Sequence, residues 1–268
     1  MVEYPKPWLL FWIAAILAHG YMDYTFIRRW RSWNRGTPAS PVIDRGRKRA
    51  VKLWVAEVLL QRQLFTLSRY RWLIHIIIFY GFGGLVFLSL FTVVLKPLGY
   101  LQVDLGIAHF FLQGNGHPFI KIWGDAFGLA LFVGLMAALS RRLFSPSVQK
   151  DNSQSDMGLL LLLLWLTVSG FALEALRVSL IPDSMARYSF FAHLFIQSGV
   201  FTLEQVRHWL TWLWSVHSFS VVALMLYLPH SKLMHSLLAP VVIAMNALEE
   251  HDRKDIYWPD IKQYKPTE

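Results

Sequence analysis

Long stretches of this chain carry no charge. No Asp, Glu, Lys or Arg lies between Lys6 and Asp23, between Arg71 and Lys96, or between Arg207 and Lys232. Ala126 to Ser140 and Met157 to Leu173 are equally free of charge. A helix rises about 1.5 Å per residue, so about 20 mostly apolar residues cross the hydrocarbon layer of a bilayer. Five windows meet that length, near residues 8–27, 72–95, 118–140, 157–180 and 208–238. Backbone polar groups cannot stay unpaired in lipid, so each window is expected to be helical. The expected fold is an all-α integral membrane protein, a bundle of five transmembrane helices. Asp125 lies in the third window, and Glu174 and Arg177 lie near the end of the fourth, so ionisable groups are placed inside or near the bilayer. The first window ends at Arg28-Arg29 rather than at a small-residue cleavage site, so it reads as a span and not as a removable signal peptide.

Composition narrows the chemistry. The chain is 55% hydrophobic and only 16% charged, where a soluble domain carries about 25% charge. It has no cysteine, which excludes disulfides, thiolate metal sites, cysteine nucleophiles and iron–sulfur clusters built within the chain. Between Arg28 and Arg71 there are twelve Lys or Arg against two acids, so the overall net charge of +9 is concentrated in this loop. The positive-inside rule puts a basic loop of this kind in the cytoplasm. With five spans, the N-terminus is then outside and the C-terminus cytoplasmic, as is the connection from Arg141-Arg142 to Asp156. Beside a membrane span, a basic segment serves topology or lipid contact far more often than nucleic-acid binding. Within it, Val51 to Arg69 has apolar residues at helical spacing and reads as one amphipathic helix. The expected organisation is a membrane domain over 1–240, including the basic loop 28–71, and a cytoplasmic tail over 241–268, of which Glu249 to Glu268 reads as a docking strap. Gly81, Gly83 and Gly84 fall mid-span, where small residues serve close helix packing.

Ten histidines are present, and an intramembrane ionisable group defaults to a functional reading. His217 and His235 are 18 residues apart. On one continuous helix that is about five turns, so both rings would leave the same face about 27 Å apart. This is the geometry for two haems stacked within a bundle. His75, just inside Arg71 at the cytoplasmic start of the second span, would share the inner haem with His235. Counting depth along the third span makes His117 the partner of His217 at the outer haem, with His109 and His193 as the other candidates. His208 is on another face of the His217 helix. His19 reads as a helix-to-helix hydrogen bonder, and His230 and His251 as interfacial.

These residues carry a resemblance. Trp214 to His217, continuing through Leu228-Pro229-His230-Ser231-Lys232-Leu233-Met234-His235 to Ala239-Pro240, resembles the gamma subunit of respiratory nitrate reductase. The runs Arg71 to Phe82 and Ser169 to Arg177 resemble two relatives of that subunit more closely. These are the membrane cytochrome b subunits of heterodisulfide reductase and of the sulfite-reduction-associated (Dsr) membrane complex. The resemblance implies that His75, His217 and His235 are haem ligands. In the nitrate reductase protein, a further ligand follows ten residues after the first on the second span. Here that position is Leu85, so His117 rests on the depth count alone.

The resemblance further implies two haems b, and electron exchange between menaquinol or menaquinone and a cytoplasmic iron–sulfur (heterodisulfide reductase-like) subunit. Further membrane or external cytochrome subunits would complete the complex, in the cytoplasmic membrane of a bacterium or archaeon. The same depth count puts Glu174 and Arg177 near the outer haem, with Asp125 about two turns further in. A quinol must lose two protons, and a nearby carboxylate can accept one. Glu174, Asp125 and Arg177 are therefore the candidate quinone-site and proton-transfer residues. A plain Glu174–Arg177 ion pair is the other reading of those two. The alternative for the whole chain is a haem-free membrane anchor or small-solute channel with structural histidines.

Overall fold

The computed structural model describes residues 8–33, 47–100, 106–112, 114–145, 154–180, 188–197 and 203–249, and these contain helices and no strand. In chain order the helices are α1 (Trp8–Trp33), α2 (Arg47–Trp54), α3 (Arg62–Leu67), α4 (Arg69–Tyr100), α5 (Gly106–Leu112), α6 (His117–Phe144), α7 (Gln154–Leu180), α8 (Phe190–Gln197), α9 (Leu203–Tyr227) and α10 (Met234–Glu249). Among the described residues, five segments are long and apolar enough to cross a membrane: Leu9–Ser32, Arg69–Leu95, His117–Phe144, Met157–Leu180 and Glu204–His230. They coincide with the five expected windows, apart from the end of the last. Leu17, Phe87, Leu90, Val94 and Phe119 on these helices are exposed, as lipid-facing residues are.

The chain sorts into two compact units, one made of residues up to Met22 with Leu73–Tyr227, the other of Asp23–Trp72 with the residues from Leu228 onward. In the first unit α7 is the most enclosed span. A third of its most apolar window (33%) is buried, against 6% for α1 and for α4. Glycines set how closely the spans approach. A Cβ at Gly81 of α4 would lie 2.6 Å from the backbone nitrogen of Leu131 in α6, and one at Gly84 would lie 2.4 Å from the Phe127 ring. Gly83, with nothing within 4 Å, takes no part. On the other side of α6, Phe171 of α7 occupies the space that a Gly128 side chain would need, 2.7 Å from its Cβ position. Phe171 also packs on Phe191 of α8, ring centres 4.1 Å apart, beside the buried trio Ala175, Val178 and Ala192. Phe11 of α1 meets Trp214 of α9 edge-on at 5.5 Å.

The second unit corrects two expectations. His217 and His235 do not share one helix. α9 ends at Tyr227, a 3-10 turn covers Leu228–His230, and α10 begins at Met234. Pro229 is the cause: it lacks an N–H, its ring crowds the carbonyl four residues back, and it disfavours a helical Leu228. The Pro229 carbonyl, orphaned by the break, accepts the Arg29 guanidinium at 2.8 Å. Ser231 then restarts the helix, its Oγ accepting the Leu233 N–H at 3.2 Å. The two rings therefore do not leave one face of a continuous helix. Nor is Val51 to Arg69 a single helix: α2 runs into a π turn at Val55–Leu59, and α3 starts anew after Gln61. Gln61 adopts a left-handed conformation with φ 50°, which no helix continues through. The pieces are tied down by indoles, Trp54 donating to the Pro240 carbonyl at 2.9 Å and Trp72 to that of Leu60 at 2.8 Å. α10 runs through Pro240 without interruption, so the boundary expected there falls inside a helix. The expected strap from about residue 250 lies outside the described residues.

Candidate functional site

Two polar centres lie on α7, about five residues or ~7.5 Å apart along its axis. The charged one is built from α6, α7 and the entry to α8. Lys121 and Asp125, four residues apart on α6, face inward and are both buried. Glu174 receives the Arg177 guanidinium on both oxygens, at 3.0 and 2.8 Å. The Lys121 ammonium stands 3.8 Å from the same carboxylate. Asp125 accepts the Ser189 hydroxyl at 3.2 Å and the backbone N–H groups of Phe190 and Phe191. Those are the first donors of α8, so Asp125 caps a helix that is not its own. The side chain thus serves as the N-cap acceptor of α8 from a neighbouring helix. The three expected residues Glu174, Asp125 and Arg177 thus share one cluster, which Lys121 joins.

The second centre is neutral. His217 projects from α9 onto α7, its Nδ1 2.8 Å from Ser169 Oγ. Trp165, one turn away on α7, donates its indole N–H to Ser220 Oγ at 3.2 Å. These two contacts join α9 to α7. Cε1 of the ring is 3.6 Å from the position a Gly170 Cβ would take, an ordinary van der Waals distance. Nε2 of His217 has no partner among the described residues.

The other candidate histidines are scattered. His117 opens α6 one turn before Lys121, with its Nδ1 3.3 Å from the Phe111 carbonyl. His75 is half-buried on α4. It is nine residues, two and a half turns, before Gly84 and so leaves the face opposite the glycine contact with α6. His235 belongs to the second unit, exposed, with its Nδ1 bonded to the Lys232 carbonyl. His109 on α5 and His193 on α8 are exposed. His251 lies outside the described residues. Among the described residues no group of three or more His, Asp or Glu could hold a metal ion. A haem iron makes no such demand, since the protein supplies only its axial ligands.

Residues 107–248 match the sequence profile of the family described as nitrate reductase gamma subunit. The chain belongs to that family. Membership and the five apolar helices make it a multi-pass membrane protein. The gamma-subunit match runs from α5 through α10 and so includes His117, the charged cluster, His217 and His235, while His75 lies before it. The chain is also similar to a subunit of dihydromethanophenazine:CoB–CoM heterodisulfide reductase from Methanosarcina barkeri, 26% identical over 224 residues, covering 83% of this chain and 74% of that protein. The protein of the same name from Methanosarcina thermophila is 30% identical over 161 residues, 59% of this chain and 57% of its own length. That from Methanosarcina mazei is 26% identical over 202 residues, 74% of this chain and 68% of its own. No solved structure matches the chain.

Two site residues escape a reading by sequence. Lys121 is a charge within an apolar window, a signal as plain as that of Asp125 one turn later. Ser169 interrupts the long apolar run from Met157, yet a lone serine in a span ordinarily bonds only its own helix.

Proposed function

We propose that this chain is the membrane cytochrome b subunit of a respiratory oxidoreductase complex, exchanging electrons between menaquinol and a cytoplasmic iron–sulfur, heterodisulfide reductase-like partner through two haems b. The place proposed for it is the cytoplasmic membrane of a bacterium or archaeon, with the basic loop inside. Further membrane or external cytochrome subunits belong to the same proposal. The relatives support a role of this kind, and one observation on the residues carries it. Of the four candidate ligands, His117 and His235 direct Nδ1 at a backbone carbonyl and His217 directs it at a serine oxygen. A carbonyl can only accept, so Nδ1 bears the proton and Nε2 keeps its lone pair in the first two. Metal-ligating histidines characteristically give their second N–H to such an acceptor. Three of the four candidates therefore hold the Nδ1 contact that suits a haem ligand.

His217 and His117 are the ligands proposed for the outer haem, and His75 and His235, on the family resemblance, for the inner one. Bound haem supplies reversible one-electron chemistry, its potential set by axial ligands and surroundings. The chain's own part in quinol chemistry is proton handling. Glu174 is the carboxylate proposed to accept a quinol proton, with Arg177 and Lys121 orienting it from two sides. Arg177 is the exposed member of the cluster and so the one open to an arriving ligand. Asp125 has three donors converging on it, and its share is to hold α8 against the cluster. The relatives are named for dihydromethanophenazine, which makes a reduced phenazine the first carrier to assay beside menaquinol.

The absorption spectrum of the purified full-length chain tests the reading: a reducible b-type band at two haems per chain is expected. A preparation without haem overturns it in favour of an anchor or channel.

A further inference from the structure

We propose that Ser169 is a positioning residue for His217, its hydroxyl locked as a hydrogen-bond acceptor so that the imidazole is held with Nε2 free to ligate iron. The inference rests on the reading of His217 as a haem ligand and adds the group that selects its tautomer. Unlike a carbonyl, a hydroxyl can either donate or accept, so by itself it leaves the tautomer open. Here the choice is made by α7. Ser169 is 2% exposed, and its Oγ lies 2.6 Å from the Trp165 carbonyl and 3.3 Å from that of Leu166. A hydroxyl has one proton, and the short bond to Trp165 uses it. Toward His217, 2.8 Å away, the oxygen can then offer only lone pairs. Nδ1 must donate, which leaves Nε2 unprotonated.

The surroundings hold this arrangement. Trp165 supplies the carbonyl that takes the serine proton, and its indole binds Ser220, one turn beyond His217. One stretch, Trp165 to Ser169, thus supplies both the oxygen that meets the ring and the carbonyl that fixes the direction of its hydroxyl, and it comes from a helix that contributes no ligand of its own. An acceptor behind Nδ1 makes the imidazole a stronger donor to the oxidised iron.

The test uses the full-length protein with its haems, and reads haem content and the two reduction potentials. Ser169→Ala removes the acceptor. It is expected to weaken retention of one haem by roughly 10–100-fold, as loss of such an outer partner does. It is also expected to shift that haem's reduction equilibrium toward the reduced form, leaving the other haem unmoved. Ser169→Thr retains the hydroxyl, and α7 already accommodates a threonine in the same back-bonded form at Thr167, 2.8 Å from the Leu163 carbonyl. It should restore both properties. If the alanine variant does not accumulate, Ser169→Cys, with its weaker acceptor, should shift the potential in the same direction. Wild-type haem content and potentials in Ser169→Ala, or in Ser169→Cys where that is the variant measured, overturn the inference. His217→Ala separates this from failure of the functional reading. If it loses one haem while the Ser169 variants match wild type, only the tautomer role falls; if it keeps both haems, the ligand assignment falls and this inference with it.

Discussion

The two sides of α7 hold polar groups of different kinds. Toward α9 the contacts are neutral, Ser169 with His217 and Trp165 with Ser220. Toward α6 and α8 they are charged: Glu174 meets Lys121, and beside it Asp125 of α6 caps the start of α8. Neutral hydrogen bonds fix direction at small desolvation cost, which suits holding an imidazole in one orientation. Charges inside a membrane protein are expensive and persist where they are paired or functional. The neutral side is thus suited to geometry and the charged side to protons, with the same helix presenting both.

The sharpest way to break this comparison is His217→Ala. One haem should be lost entirely and the other retained, read from the pyridine haemochrome spectrum. Next in size is Glu174→Gln on the charged side. Quinol-driven haem reduction should slow by about 100-fold with haem content unchanged, the lower end of what a general base contributes. An unaltered rate would remove Glu174 from the proton path and leave the ionic side purely structural. Asp125→Ala should cost about 3 kcal/mol, because one change leaves three buried or helix-end donors without their acceptor. Thermal unfolding in detergent would register this, and early proteolysis within α8 would locate it. The smallest effect belongs to Trp165→Phe, about 1 kcal/mol for a single exposed-side hydrogen bond. Its haem spectrum should stay unchanged, since the carbonyl that takes the Ser169 proton remains. A shifted spectrum would show that the indole, and not only the backbone, orients His217.

The number and place of the spans were legible because hydropathy sums over neighbours in sequence. The end of the fifth was misread although Pro229 stood in plain view. The 18-residue spacing drew attention to a shared face, while the proline denied the pair a common helix. Gly81 and Gly84 could be read as packing residues, but their partners Leu131 and Phe127 could not. The break at Gln61 had no signal at all, since glutamine is not a residue that marks a left-handed turn. In the site, Asp125, Glu174 and Arg177 announced themselves by charge. Nothing in the primary structure says that Asp125 meets the start of α8, 64 residues on.

What the sequence determined by itself is a membrane bundle with a handful of polar side chains sunk into it. Crossing a bilayer depends on about 20 successive residues and on the backbone closing its own hydrogen bonds, both of them local conditions. Which polar groups meet was decided only in three dimensions. Ser169 and His217 lie 48 residues apart on different helices, and their contact depends on how each helix is rotated about its axis. That rotation follows from packing between helices distant in sequence, such as the Phe171 ring of α7 over Gly128 of α6, and no property summed along one helix contains it.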